Sequence, residues 1–157
     1  MTPGAQVAAA IEILTAIDAG ARPADDSAAD YFRRRRYIGA KDRAQISSHV
    51  YNVLRHRSSL DWWVCRKDVP IGPRSRILAC LVLIENWPPE RITGYVDGSR
   101  FCPPPLGQAE ERLVRSLAGH SLCHPEMPGR RPAMYRSGSS PISSACSARV
   151  WDAKWQR

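Results

Sequence analysis

An all-α bundle is the fold this sequence predicts, and three observations lead there. Apolar residues recur at spacings of three and four along most of the first 120 positions. No segment shows a period-two run convincing enough for a strand. One segment, PRSRILACLVLIENW, is apolar on nearly all sides at its centre, and a helix without a polar face belongs in the middle of a bundle. The expected architecture is about six or seven short helices around that one apolar helix.

The elements follow in order. Thr2-Pro3 reads as an N-cap followed by proline at the first helical position, and Val7, Ile11, Leu14 and Ile17 then supply an apolar stripe that Gly20 ends. A second helix opens at Asp25, Asp26 or Ser27, carries Tyr31 and Phe32, and is expected to stop at Gly39. The third runs from about Lys41 to Arg57 with Ile46, Val50, Val53 and Leu54 on one stripe. After a break at the polar Ser58-Ser59, a short helix holds Leu60, Trp63 and Val64. Pro73 opens the apolar helix, and Pro88-Pro89 ends it and starts a short helix with Ile92, Tyr95 and Val96. FCPPPLG reads as a rigid loop, and QAEERLVRSLAG as a last amphipathic helix with Leu113 and Leu117. From about Pro125 the apolar period is lost and Ser, Pro, Gly and Arg dominate.

At 157 residues and 43% hydrophobic content the chain suits one ordinary domain with a sizeable core. No apolar run approaches the ~20 residues of a membrane span, and no secretory pattern opens the chain, so no membrane is expected and the cytoplasm is the default location. The five cysteines (Cys65, Cys80, Cys102, Cys123, Cys146) are scattered and odd in number, which argues for reduced thiols, with Cys80 in the core.

The net charge of +8 is unevenly spread: −4 over residues 1–32, +9 over 33–76, −2 over 77–128 and +5 over 129–157. A basic centre between acidic neighbours suits a polyanion-facing surface, and it also serves solubility. Within it, Arg33 to Arg36 would sweep about 300° of a continuous helix and could not all meet one ligand. Tyr31 and Phe32 mark the buried side, so Arg35 should fall back along the core edge, paired or with its stem laid on apolar surface. Arg33 and Arg36 share a face. The candidate RNA contacts are Arg33, Arg34, Arg36, Lys41, Arg43, Arg55 and Arg57. Asp42 is placed to complement the dipole of the third helix and cap its free N–H groups. Tyr51 reads as a packed ring with its hydroxyl satisfied.

Gly39, Asp42-Arg43, Val50-Tyr51-Asn52-Val53-Leu54-Arg55, Leu60-Asp61 and the run from Leu78 to Leu83 together resemble a known family. The match is to the NusB-like RNA-binding domain at the N-terminus of bacterial 16S rRNA cytosine-5 methyltransferases of the RsmB/Sun type, and it covers roughly residues 5 to 128. Asn52 stands where that family has glycine. The resemblance implies an RNA-binding helical module, with 16S rRNA as the partner. In the full-length family a separate C-terminal domain binds S-adenosylmethionine and attacks cytosine with a cysteine thiolate.

Nothing in these residues matches that catalytic domain. There is no strand, Gly-rich loop and helix unit, and the Phe101-Cys102-Pro103 order reverses the Pro-Cys dipeptide of those active sites. His120, Cys123 and His124 have no fourth ligand at a recognised metal spacing. No catalytic, cofactor or metal residue is therefore assigned, and no methyltransferase activity is expected of this chain.

The family continues into an Asn-[Val/Leu]-Pro-x-Trp-Leu segment. Residues 134–157 admit a back-translation that, read one nucleotide earlier, opens on Asn-Val-Pro-Glu-Trp-Leu and runs on into an amphipathic helix. The tail over 129–157 accordingly reads as frameshifted, the chain as the N-terminal part of a longer enzyme, and Trp151 and Trp155 as no stacking platform. Two other readings stay open: a stand-alone NusB-like transcription antitermination factor, and a structural helical adaptor whose basic face is merely solvated.

Overall fold

Seven helices make up the ordered frame of the described residues, and none of those residues lies in a strand: α1 (Pro3–Asp18), α2 (Ala24–Arg34), α3 (Ala40–Arg55), α4 (Arg57–Arg66), α5 (Pro73–Leu83), α6 (Pro89–Tyr95) and α7 (Gln108–Leu117). The structure, a computed structural model, describes residues 1–20 and 23–127, so the expected tail with Cys146, Trp151 and Trp155 lies outside it. Met1–Leu122 forms one compact unit; of a second, beginning at Cys123, only residues 123–127 are described.

The apolar helix is the centre of the bundle, as its composition predicts. Every residue from Ser75 to Leu83 is buried, and α5 packs against α1, α3, α4, α6 and α7. Its start is fixed locally: Pro73 occupies the first turn, and the Ser75 hydroxyl accepts the Gly72 N–H at 2.9 Å while donating to the Pro70 carbonyl at 2.8 Å. It ends at Leu83, short of the Trp87 its pattern suggested. Asn86 takes a positive φ of 55°, and the Trp87 N–H turns back onto the Leu81 carbonyl at 2.9 Å. That reversal buries the Trp87 ring beneath the Arg91 guanidinium, which lies 3.9 Å from the ring centroid.

The Thr2 hydroxyl caps α1 by accepting the Ala5 N–H at 3.2 Å. The face α1 buries is Val7, Ala10, Ile13 and Leu14, whereas Ile11 and Ile17 are half-buried at its edges. The expected stripe was thus rotated by part of a turn, because the small residues Gly4, Ala5, Ala9 and Ala10 let neighbours approach closely. At Gly4 an added Cβ would lie 2.6 Å from Cys102 Sγ and closer still to the Tyr95 carbonyl oxygen.

Two further helix boundaries differ from the expectation. The second helix stops at Arg34, with Arg35 at φ −118°, ψ 64°, and the Ile38 N–H bonds to the Arg35 carbonyl at 3.1 Å to close a turn. Leaving the helix there buries Ile38 and avoids stacking four like charges through one more turn. Between α3 and α4 the break falls at His56 (φ −112°, ψ 19°), so Ser58 and Ser59 lie inside α4.

Polar groups also hold the frame. Arg76, 7% exposed, forks onto Asp61 (2.6 and 3.2 Å) and reaches Asp18 at 2.6 Å, while Arg57 takes the other Asp18 oxygen at 2.9 Å. This network ties the ends of α1, α4 and α5 together. Arg74 likewise forks onto Glu110 (2.7 and 3.1 Å) and donates to the Pro104 and Pro105 carbonyls, pinning the proline loop to α5 and α7. His49, fully buried on α3, meets Glu85 at 2.5 Å. Cys80, Cys102 and Cys123 are reduced thiols.

Candidate nucleic-acid interface

The turn from α2 into α3 gathers most of the candidate cations. Arg33, Arg36 and Arg43, with Ala29 and Phe32 as an apolar floor, line an open depression of about 610 Å³. Arg33 and Arg34 extend from the last turn of α2, where their charge also suits the helix dipole. Arg36 and Lys41 are exposed beyond it and form no ion pair among the described residues. Arg33 and Arg34 share Asp30 at 3.5 and 2.9 Å, yet their side chains are 69% and 73% exposed. Such i,i+3 and i,i+4 surface pairs are worth at most ~1 kcal/mol, so an incoming anion can displace them.

Arg43 has a double role. Its Nε donates to the Ile38 carbonyl at 2.8 Å and its Nη2 to the Arg36 carbonyl at 3.5 Å, which holds the turn in shape. Carbonyls accept hydrogen bonds without neutralising charge, so the guanidinium still presents a cation to the depression. Arg35 is the structural arginine of the run: it pairs with Glu12 at 2.8 Å and its guanidinium covers the Tyr31 ring at 4.0 Å. That assignment holds although the helical-wheel argument behind it does not, because Arg35 and Arg36 are outside α2.

The structure does not bring all seven candidates together. Arg55 ends α3 and Arg57 begins α4, so they sit at the far end of a 16-residue helix, roughly 24 Å from the turn at its start. Arg55 is exposed, whereas Arg57 is spent on Asp18. Asp42 is not a cap. Its carboxylate accepts Gln6 Nε2 at 2.8 Å and faces the N-terminal ammonium at 3.4 Å, tying α3 to the first turn of α1. The Gln6 hydrogen bond is the main reason its carboxyl is held below the usual range, with the ammonium helping against burial. Tyr51 is an anchor too: its hydroxyl donates to Asp25 of α2, and that bond, ahead of burial, raises its pKa. Burial, then Glu12, pushes the Tyr31 hydroxyl upward in the same way.

Pattern reading named the cations and missed their surroundings. The Phe32 floor could have been guessed from its three-residue offset from Ala29. The shielding carboxylate of Asp30 could have been found from its i,i+3 and i,i+4 offsets to Arg33 and Arg34. The exposure of Tyr37, 79%, had no signal in the sequence, where an aromatic between Arg36 and Ile38 looks like core. Among the described residues no group of three or more His, Cys, Asp or Glu side chains could hold a metal. His120 packs edge-on against Trp63 at 5.3 Å, and Cys102 lies against Gly4. No described helix is long and apolar enough to cross a membrane.

No family model matches the chain, and no curated protein or solved structure shows significant similarity to it.

Proposed function

We propose that this chain is an RNA-binding helical module of the kind that positions a small-subunit rRNA cytosine-5 methyltransferase on its substrate. The observation that supports it most is the Arg33, Arg36 and Arg43 cluster around an open depression, with Lys41 close in sequence, while Arg35, Arg57 and Arg76 are already neutralised by carboxylates. The chain thus separates arginines that hold the fold from arginines left facing solvent. Cations gathered at one turn suit a phosphate backbone, and affinity from such contacts comes mostly through counterion release. The methyltransferase context rests on the resemblance of roughly residues 5 to 128, and S-adenosylmethionine would belong to the catalytic partner domain of that family.

The test is a salt titration of binding to a 16S rRNA fragment. Each phosphate contact contributes about −0.7 to −0.9 to the slope of log K against log salt. Arg36→Glu should weaken binding and flatten the slope, whereas Arg57→Gln should lower stability and leave the slope alone. A flat wild-type slope, or no binding at low salt, would leave the basic turn as a solvated face of a structural adaptor.

A further inference from the structure

We infer that two Arg–aromatic turns are stacking posts for unpaired bases, so that the RNA this module takes is single-stranded there; this rests on the RNA-binding reading above. The first is Arg36-Tyr37. They are the two central residues of the turn closed by the Ile38 N–H and the Arg35 carbonyl. Its ends are fixed, Arg35 by Glu12 and Ile38 by burial, and Arg43 clamps the carbonyls of residues 36 and 38. A cation and a ring that is 79% exposed are therefore displayed together on a rigid corner.

The second repeats the arrangement. Arg100-Phe101 are the central residues of the turn closed by the Cys102 N–H and the Ser99 carbonyl at 2.8 Å, with the Gly98 N–H on the Pro103 carbonyl at 2.9 Å behind it. The Phe101 ring is 71% exposed, and the Arg100 guanidinium lies 5.0 Å from its centroid. Phe101 holds a φ of 71°, a left-handed conformation that glycine or asparagine adopts far more readily. Neither burial nor backbone preference accounts for phenylalanine there.

Residues close in sequence to each turn contact the first turn of α1. Cys102, next to Phe101, lies against Gly4, and Asp42, five residues beyond Tyr37, bonds Gln6 and faces the Met1 ammonium. Met1, Tyr37 and Phe101 are the three most exposed large apolar side chains among the described residues. Exposed rings each next in sequence to an arginine favour a nucleic-acid strand over a protein partner: the ring offers its π-face to any base and the arginine meets the phosphate. A duplex keeps its bases stacked inside and could use only the cations.

The experiment compares Tyr37→Ala, Phe101→Ala and the double variant in the full chain. Binding is read by fluorescence anisotropy against a single-stranded oligoribonucleotide of about 12 nucleotides and against the same strand in a duplex. Each alanine should lower single-strand affinity about 5- to 100-fold with an unchanged salt slope, leave duplex affinity as it was, and leave the melting temperature unmoved. Tyr37→Phe should bind as the wild type. Phe101→Gly should lose single-strand affinity while matching or exceeding wild-type stability. Alanine variants that bind the single strand normally, or that lose both RNAs in proportion, overturn the stacking posts and leave the RNA-binding reading standing. A wild type that binds neither RNA at low salt overturns both.

Discussion

Replacing Arg76 with methionine should unfold this protein more readily than any surface arginine substitution, and the structure says by how much. The side chain is 7% exposed and makes three charge-assisted hydrogen bonds, two to Asp61 and one to Asp18. Burial alone would lower its pKa, and the Asp61 hydrogen bond and charge, followed by Asp18, more than reverse that, so the group is firmly charged in the folded state. At about 1.5–3 kcal/mol per bond to a charged group, the three bonds bound the loss from above. The carboxylates left behind are a quarter exposed and regain some water, and Asp18 keeps Arg57. The loss should therefore settle near the ~3–5 kcal/mol typical of removing one partner from a buried pair. In a chain of this size that lowers the melting temperature by roughly 10 °C. Urea denaturation of Arg76→Met, and of Arg76→Met with Asp61→Leu, separates the pair from its desolvation. The double variant should recover most of the loss, since an apolar pair of similar volume carries no orphaned charge. A single variant that loses under ~1 kcal/mol, or a double variant no better than the single, would refute the argument that this network clamps α1, α4 and α5.

Three further outcomes are expected. Gly4→Ala should cost about 1–3 kcal/mol, because its Cβ would meet Cys102 Sγ and the Tyr95 carbonyl oxygen, and only the thiol can move; Cys102→Ala should relieve the clash in part, and a melting temperature unchanged by Gly4→Ala would contradict it. Burial raises the Glu110 carboxyl, but the Arg74 fork and the Gly107 N–H outweigh it and hold the group below its usual range. A depressed folded value means this stabilisation is complete above an unfolded value of about 4.3 and is lost as pH falls through the folded one. Arg74→Gln should therefore lower stability at neutral pH and shrink the further loss below about pH 4, which chemical denaturation across that window would show. Burial, then the Glu85 charge, pushes the Cys80 thiol up to about 12, so a thiol reagent at neutral pH should label exposed Cys123 in the native protein and reach Cys80 only on unfolding; fast native labelling of Cys80 would count against the buried centre of α5.

How much of this was legible in sequence depends on whether the signal is local. The Thr2-Pro3 start, the Pro73 start and the all-apolar run of α5 are local chemistry, and the structure places them as read. The end of α2 was not legible, because it depends on Glu12 holding Arg35 from 23 positions away and on the need to bury Ile38. The His56 break was missed for a similar reason: a Ser-Ser pair looks like a natural interruption, yet Leu60, Trp63 and Val64 need α4 to begin earlier to reach α5.

The candidate interface divides along the same line. Which residues are cationic, and that they concentrate in one block, is a property of composition, so the sequence alone determined it. Which of them face solvent was decided only by the tertiary structure, because an arginine is neutralised by whatever carboxylate the fold brings to it. Arg35, Arg57 and Arg76 meet Glu12, Asp18 and Asp61 across sequence separations of 23, 39 and 15 residues, distances at which no periodicity speaks. Arg36 and Lys41 pair with no carboxylate among the described residues, Arg33 keeps only its exposed pair with Asp30, and Tyr37 and Phe101 are exposed because short turns, rather than helix faces, carry them.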